Sequence, residues 1–109
     1  SLAAISGAAR NEHYAATKGG LISMLRAMSV EFAGKGITAN AILPGWIETA
    51  MTEPAFNWNK FADNVKPRIP ARRWGNPEDF GGIAVYIMSD ASSYHTGDTF
   101  LIDGGYFLF

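Results

Sequence analysis

The chain has 109 residues, a length that suits one small domain. Hydrophobic residues make up 48% and charged residues 17%, with a formal net charge of -1. That balance describes a packed, globular chain and gives no electrostatic ground for binding nucleic acid or an anionic membrane. There is no cysteine, which excludes disulfides, thiolate chemistry and cysteine-ligated zinc and fits a reducing compartment such as the cytoplasm. No apolar run is long enough to span a bilayer. Ser1-Leu2-Ala3-Ala4-Ile5 starts without an initiator Met, as if in mid-element, which predicts that further sequence precedes it.

From His13 to about Ala33 the apolar residues Tyr14, Leu21, Leu25, Met28 and Phe32 recur at helical spacing, and Gly34 and Gly36 supply a stop. Gly19-Gly20 lowers helix propensity by about 1 kcal/mol per glycine relative to alanine, so close packing against another element is expected there. The segment 37–43 is short, apolar and partly β-branched; it reads as a buried strand ended by Pro44-Gly45. From Ile47 to Pro70 the composition is mixed, with prolines at 54, 67 and 70. Trp46, Met51, Phe56, Trp58 and Phe61 follow no clean period, which predicts a mobile flap with one or two short helices. These side chains either line an apolar pocket or form a small core of the flap's own. Asn76-Pro77-Glu78-Asp79 is a helix start: an Asn cap, a first-turn proline, then acids at the positive end of the dipole. A helix to about Ser89 follows, with Phe80, Ile83, Ala84 and Ile87 on one face. A turn-rich link leads to a second buried strand, Thr99–Ile102, stopped by Asp103-Gly104-Gly105.

Strand, helix and strand joined by short links predict a parallel pair with a right-handed crossover. Parallel strands need cover on both faces and neighbours on their edges, and two strands are too few for a stable sheet. The expected fold is therefore α/β, with this chain completing a larger parallel sheet.

Tyr14 and Lys18 stand four residues apart, which stacks a phenol and an ammonium on one helical face. A free tyrosine titrates near pH 10, too high for a base at neutral pH, and a nearby cation favours its phenolate. The same spacing also fits an ordinary core tyrosine beside a solvated lysine. Ser1 lies thirteen residues before Tyr14, and its hydroxyl either bonds a substrate oxygen or ends a turn. Ser6 and Thr17 read as local cap or turn residues. Pro44-Gly45-Trp46-Ile47-Glu48-Thr49 follows directly on a strand, where parallel sheets bind ligands, although proline and glycine are also normal strand punctuation.

Taken together, Ser1, the Y-A-A-T-K pattern, P-G-W-I-E-T after a strand and the terminal I-D-G-G resemble the classical short-chain dehydrogenase/reductase family in order and spacing. The segments 40–45 and 73–78 are similar to family segments too, so the resemblance covers nearly the whole chain. It implies the C-terminal portion of a doubly wound, parallel-sheet Rossmann-like fold and reversible hydride transfer between NAD or NADP and an alcohol or carbonyl. On this resemblance, Ser1 orients the substrate oxygen, Tyr14 is the acid/base, and Lys18 lowers the tyrosine pKa and bonds the nicotinamide ribose. Ile47 and Thr49 hold the nicotinamide amide, Thr49 also reaching a phosphate, while Pro44 and Gly45 shape their loop. Residues 50–70 correspond to the substrate flap. Asn40, although matching a family asparagine, reads as structural. The family's catalytic asparagine and its glycine-rich phosphate loop have no counterpart in these residues. The dinucleotide-binding N-terminal half of the same protein is thus an expected partner.

His13 and His95 lack metal-ligand spacing, and no metal is expected. Asp103 reads as a turn residue, and Arg72-Arg73 as a surface pair near the flap or a link to a carboxylate, with a phosphate contact as the alternative. The apolar tail Tyr106-Phe107-Leu108-Phe109 is expected to find cover on a partner subunit, since the family forms dimers and tetramers. The readings for function are a sugar- or polyol-like dehydrogenase, a 3-oxoacyl (acyl-carrier) reductase, a non-catalytic binding subunit of the same fold, and an extended-branch epimerase or dehydratase. The region after Thr49 is short for the last.

Overall fold

A computed structural model describes residues 1–108. A turn at Leu2–Ala4 leads into helix α1 (Glu12–Phe32) and strand β1 (Ala41–Pro44). Two short helices follow, α2 (Glu53–Phe56) and α3 (Asn59–Val65), then helix α4 (Gly81–Met88) and strand β2 (Thr99–Ile102). The two strands pair in parallel, Ala41 opposite Thr99 through Pro44 opposite Ile102. The predicted α/β order and parallel pair are what the structure contains.

β1 begins four residues later than the apolar run predicts. Its partner strand starts only at Thr99, so residues 39 and 40 meet the preceding turn rather than a ladder. Asn40 Nδ2 donates to the His95 carbonyl (2.8 Å) while its Oδ1 accepts from the Asp98 N–H (3.0 Å). Ala39 N–H donates to Thr96 Oγ1. One amide side chain thereby does the work of two ladder bonds, the structural role expected of Asn40. The turn is tied further by a chain that spacing did not reveal: Tyr86 Oη lies 2.9 Å from His95 Nδ1, and His95 Nε2 lies 2.7 Å from Asp98 Oδ2. The His95 ring, followed by the Thr99 N–H, holds the Asp98 carboxyl below the usual carboxylate range.

Helix α1 forms at the expected place and ends through a 3-10 turn at Gly36, whose φ of 76° is the left-handed cap that glycine adopts without strain. Its buried ridge differs from the predicted one. Ile22, Leu25 and Ser29 are buried, whereas Leu21 and Met24 are 50% and 54% exposed and Tyr14 and Met28 are also open. The apolar positions cover more than one face, and among the described residues the covered face is the one turned to the Leu2–Ala4 turn. Ser29 is buried because its hydroxyl donates to Leu25 O and Ala39 O, which fastens α1 to the entry of β1. Gly19 packs near the Ala4 carbonyl, as the close-packing expectation requires, but Gly20 faces open space.

Segment 50–70 contains two short helices, as expected. Phe56 stacks on Trp74 with centroids 4.0 Å apart, and Trp46 meets Phe61 and Tyr106 edge-on at 5.2 and 6.0 Å. Pairs of this kind are worth about 0.5–1.5 kcal/mol each beyond area burial. Trp46, Phe56 and Phe61 therefore form the segment's own core; Met51 and Trp58 are exposed.

At α4 the first turn, Pro77–Phe80, is 3-10 rather than α. Its start is held by Asp79, which accepts from the Asn76 N–H (2.9 Å) and pairs with both Arg73 Nη atoms at 2.7 Å. Arg73 thus meets the carboxylate expected for it. Ile83, Ala84 and Ile87 are half-buried, as the predicted face requires, with Val85 and Met88 exposed.

Two outcomes follow for stability. A Cβ at Gly45 would stand 2.6 Å from Asp103 Cβ, a contact that only backbone movement relieves. Gly45→Ala should cost about 1–3 kcal/mol in urea unfolding; an unchanged midpoint would show that the β1 and β2 ends can separate freely. The Arg73 hydrogen bond, then the Asn76 N–H, hold the Asp79 carboxyl down to about 2, against an ordinary 3.8. Ionised Asp79 then favours the folded chain above pH ~4, and that contribution disappears as pH falls through ~2. Comparing unfolding of wild type and Asp79→Asn between pH 5 and 2 should show the difference between them shrinking with acid. A difference that stays constant would contradict the pairing.

Candidate active site

Three local structures hold the candidate residues. The first is the opening turn of α1. Lys18 Nζ lies 5.3 Å from the Tyr14 ring centroid, so the i, i+4 spacing does place both on one face. The Tyr14 hydroxyl and the Lys18 ammonium make no hydrogen bond or ion pair among the described residues, and Tyr14 is 38% exposed. Thr17 Oγ1 donates to the Tyr14 carbonyl (2.8 Å) and Ser6 Oγ to Leu2 O (3.0 Å), the local roles expected of both.

The second is the Leu2–Ala4 turn. Ser1 Oγ caps it, accepting from the Ala3 N–H at 3.2 Å. A hydroxyl that accepts here keeps its own hydrogen for donation elsewhere. The Leu2–Ala4 turn that Ser1 caps packs against α1, the helix that carries Tyr14 and Lys18.

The third is the loop at the carboxyl end of β1. Gly75 N–H donates to Trp46 O (2.9 Å) and Glu48 N–H to Gly75 O (2.8 Å). This single parallel bridge turns the intervening Ile47 N–H to the opposite side, where it has no partner among the described residues. Thr52, which sequence reasoning left without a role, holds the loop closed: its hydroxyl donates to Ile47 O (2.6 Å) and accepts from Thr49 N–H (2.9 Å). Its role depends on the loop conformation, which spacing does not encode. Thr49 Oγ1 meets only Thr52 Oγ1, at 3.3 Å, and Pro44 and Gly45 bring the loop off the strand beside Asp103. A free N–H next to an exposed hydroxyl suits a carboxamide, which needs one donor and one acceptor. The residues present therefore fit the nicotinamide end of a dinucleotide.

A cavity of about 230 Å³ lies behind this loop, between Trp46–Ile47, Arg73–Gly75 and Ile102–Gly104; Ser1, Tyr14 and Lys18 do not line it. Asp103 is a turn residue as expected, its two oxygens accepting from Gly105 N–H and Phe107 N–H at 2.8 Å. Arg72 Nη1 donates to Pro67 O. Phe107 and Leu108 of the tail are exposed, and Phe109 lies outside the described residues. Among the described residues no helix is long and apolar enough to cross a membrane.

A family model described as enoyl-(acyl carrier protein) reductase, of the short-chain alcohol dehydrogenase type, matches residues 1–107. The chain is 46% identical over 93 residues to a 2-dehydro-3-deoxy-D-gluconate 5-dehydrogenase of Pseudoalteromonas atlantica, covering 85% of this chain and 37% of that protein. It is 41% identical over 105 residues to a 3-oxoacyl-(acyl-carrier-protein) reductase of Thermotoga maritima, covering 96% and 42%. It superposes on a gluconate 5-dehydrogenase of Burkholderia cenocepacia, solved with NADP and tartrate, with TM-score 0.95 and 32% identity over 100% of this chain and 43% of that one. The chain thus spans about two fifths of the length of these relatives, and its helix and parallel strands are a portion of their Rossmann-like fold. On the match of its family model and these identities, the chain belongs to the classical short-chain dehydrogenase/reductase family.

Proposed function

We propose that the chain is the C-terminal catalytic part of an NAD- or NADP-dependent oxidoreductase that interconverts a secondary alcohol and a ketone. The observation that carries this reading is the Tyr14–Lys18 pair, an ammonium 5.3 Å from a phenol ring whose hydroxyl has no other partner among the described residues. Tyr14 Oη donates a proton to the carbonyl oxygen in reduction and takes it back in oxidation. The Lys18 charge stabilises the phenolate that results. Ser1 Oγ donates to the same oxygen and fixes its direction. The Ile47 N–H and the Thr49 hydroxyl hold the nicotinamide amide, and Pro44 and Gly45 set their loop. NAD(P), when bound, supplies or accepts the hydride. The remaining dinucleotide contacts come from an N-terminal part of the same protein, and residues 50–70 cover the substrate.

The substrate we assign is sugar- or polyol-like. The 46% identical relative is named for a deoxygluconate derivative, and the Burkholderia enzyme for gluconate, its structure holding tartrate. These are hydroxy or oxo acids, and both names place the reaction at C5, several carbons from the carboxylate. The acyl-carrier reductase is the competing substrate class, favoured by the 41% identical relative. The exposed apolar tail supports assembly as a homo-oligomer, a dimer or tetramer.

In the full-length protein, Tyr14→Phe should lower kcat by two or more orders of magnitude, the scale of general acid–base catalysis. Nucleotide-dependent thermal stabilisation should persist. Near-normal turnover would sink the assignment of Tyr14. Stabilisation by nucleotide with no turnover of any alcohol in the wild type would favour a non-catalytic subunit.

A further inference from the structure

Arg10 stands in a conformation that its own residue type disfavours. Its φ is 66°, in the left-handed region that L-residues other than Asn and Asp rarely enter. It occupies the third position of a turn closed by the Asn11 N–H donating to Ala8 O at 3.3 Å. Turns with a positive φ at that position take glycine without strain. The backbone therefore gives no reason for an arginine, and neither do its contacts. Arg10 is exposed, with no hydrogen bond, ion pair or ring contact among the described residues. Strain of this kind, unexplained by packing, gathers at functional sites.

Its position relative to the reacting groups is fixed by the helix start. The Ala15 N–H donates to the Asn11 carbonyl, so Asn11 lies about one turn from Tyr14. Arg10 is one peptide further out, which puts its Cα within about 10 Å of the Tyr14 Cα. An arginine side chain spans such a gap, and its guanidinium forms a two-pronged donor that matches a carboxylate. Three other cations are engaged elsewhere. Lys18 lies against Tyr14, Arg73 is paired with Asp79, and Arg72 donates to Pro67 O. Among Ser1 to Lys18, the stretch that carries all three reacting side chains, Arg10 and Lys18 are the two Lys or Arg residues, with His13 beside Tyr14.

We propose that Arg10 is the specificity-determining residue that binds the carboxylate of a hydroxy- or oxo-acid substrate, holding it so that its secondary alcohol or ketone meets Tyr14. The proposal rests on the oxidoreductase reading and narrows its substrate to an anion. A substrate carboxylate would supply the partner that Arg10 lacks among the described residues. An uncharged sugar or an acyl thioester has no such carboxylate.

The test uses the full-length protein, NAD(P) and two matched substrates, a sugar acid such as gluconate and its uncharged C1 amide. The wild type should prefer the acid. In Arg10→Gln the acid-to-amide ratio of kcat/KM should fall by about 10- to 100-fold, carried by the KM for the acid. Arg10→Lys should recover part of it. Arg10→Gly should lose the same selectivity while unfolding at no lower temperature than the wild type, because glycine relieves the turn. A wild type that does not prefer the acid, or a ratio unmoved by Arg10→Gln, overturns the inference and leaves the oxidoreductase reading standing. Equal losses on both substrates also overturn it, since they mark a structural role. Absence of NAD(P)-linked turnover with every alcohol overturns both.

Discussion

The loop half of the candidate site is positioned by the closeness of two strand ends. β1 and β2 run parallel for four rungs and stop at the same level, Pro44 opposite Ile102. Gly45 then passes so near Asp103 that no side chain fits between them. That approach sends the Trp46–Thr49 loop away from β2 and into its bridge with Gly75, and the bridge turns the Ile47 N–H outward. Asp103 uses both oxygens to fix the turn on its own side. A parallel pair ending in two tight, glycine-dependent turns thus converts ordinary strand punctuation into a rigid cradle at the carboxyl ends, where open parallel sheets bind ligands.

Helix α1 brings the second half of the candidate site to the same frame. The Leu2–Ala4 turn packs on both α1 and β1, so Ser1, Tyr14 and Lys18 are tied to the strand that carries the loop. The ridge Ile22–Leu25–Ser29 does the fastening, and Ser29 adds two carbonyl bonds at the point where β1 begins. The other apolar stripe of α1, with Leu21, Met24 and Met28, is exposed among the described residues. It continues the face that bears Tyr14, which fits a helix meant to pack against further strands of a larger sheet.

Periodicity and punctuation revealed the elements well and their details poorly. The helix at 12–32, the strand at 99–102 and the short helices of segment 50–70 were legible because glycine, proline and apolar spacing act locally. The buried ridge of α1 was not legible, since nearly every face of that helix carries apolar residues and only tertiary packing selects one. The late start of β1 was hidden because Asn40 replaces ladder bonds with its side-chain amide, a long-range effect of His95 and Asp98. Tyr14 and Lys18 were readable as a pair from spacing alone, but Thr52 was not. Its bonds to Ile47 and Thr49 depend on a loop conformation that no local propensity encodes. Arg10 likewise looks like one more surface cation until its φ is known.

The central claim is that Tyr14 meets the reacting oxygen. A crystal structure of the full-length protein with NAD(P) and a non-reacting carboxylated substrate analogue tests it most directly. The account predicts Tyr14 Oη at about 2.6–3.2 Å from the analogue's reacting oxygen, with Ser1 Oγ on the same atom. It also predicts the nicotinamide amide on the Ile47 N–H. An analogue bound in the nucleotide's presence with Tyr14 covered by another part of the chain, or aimed away from that oxygen, would contradict it.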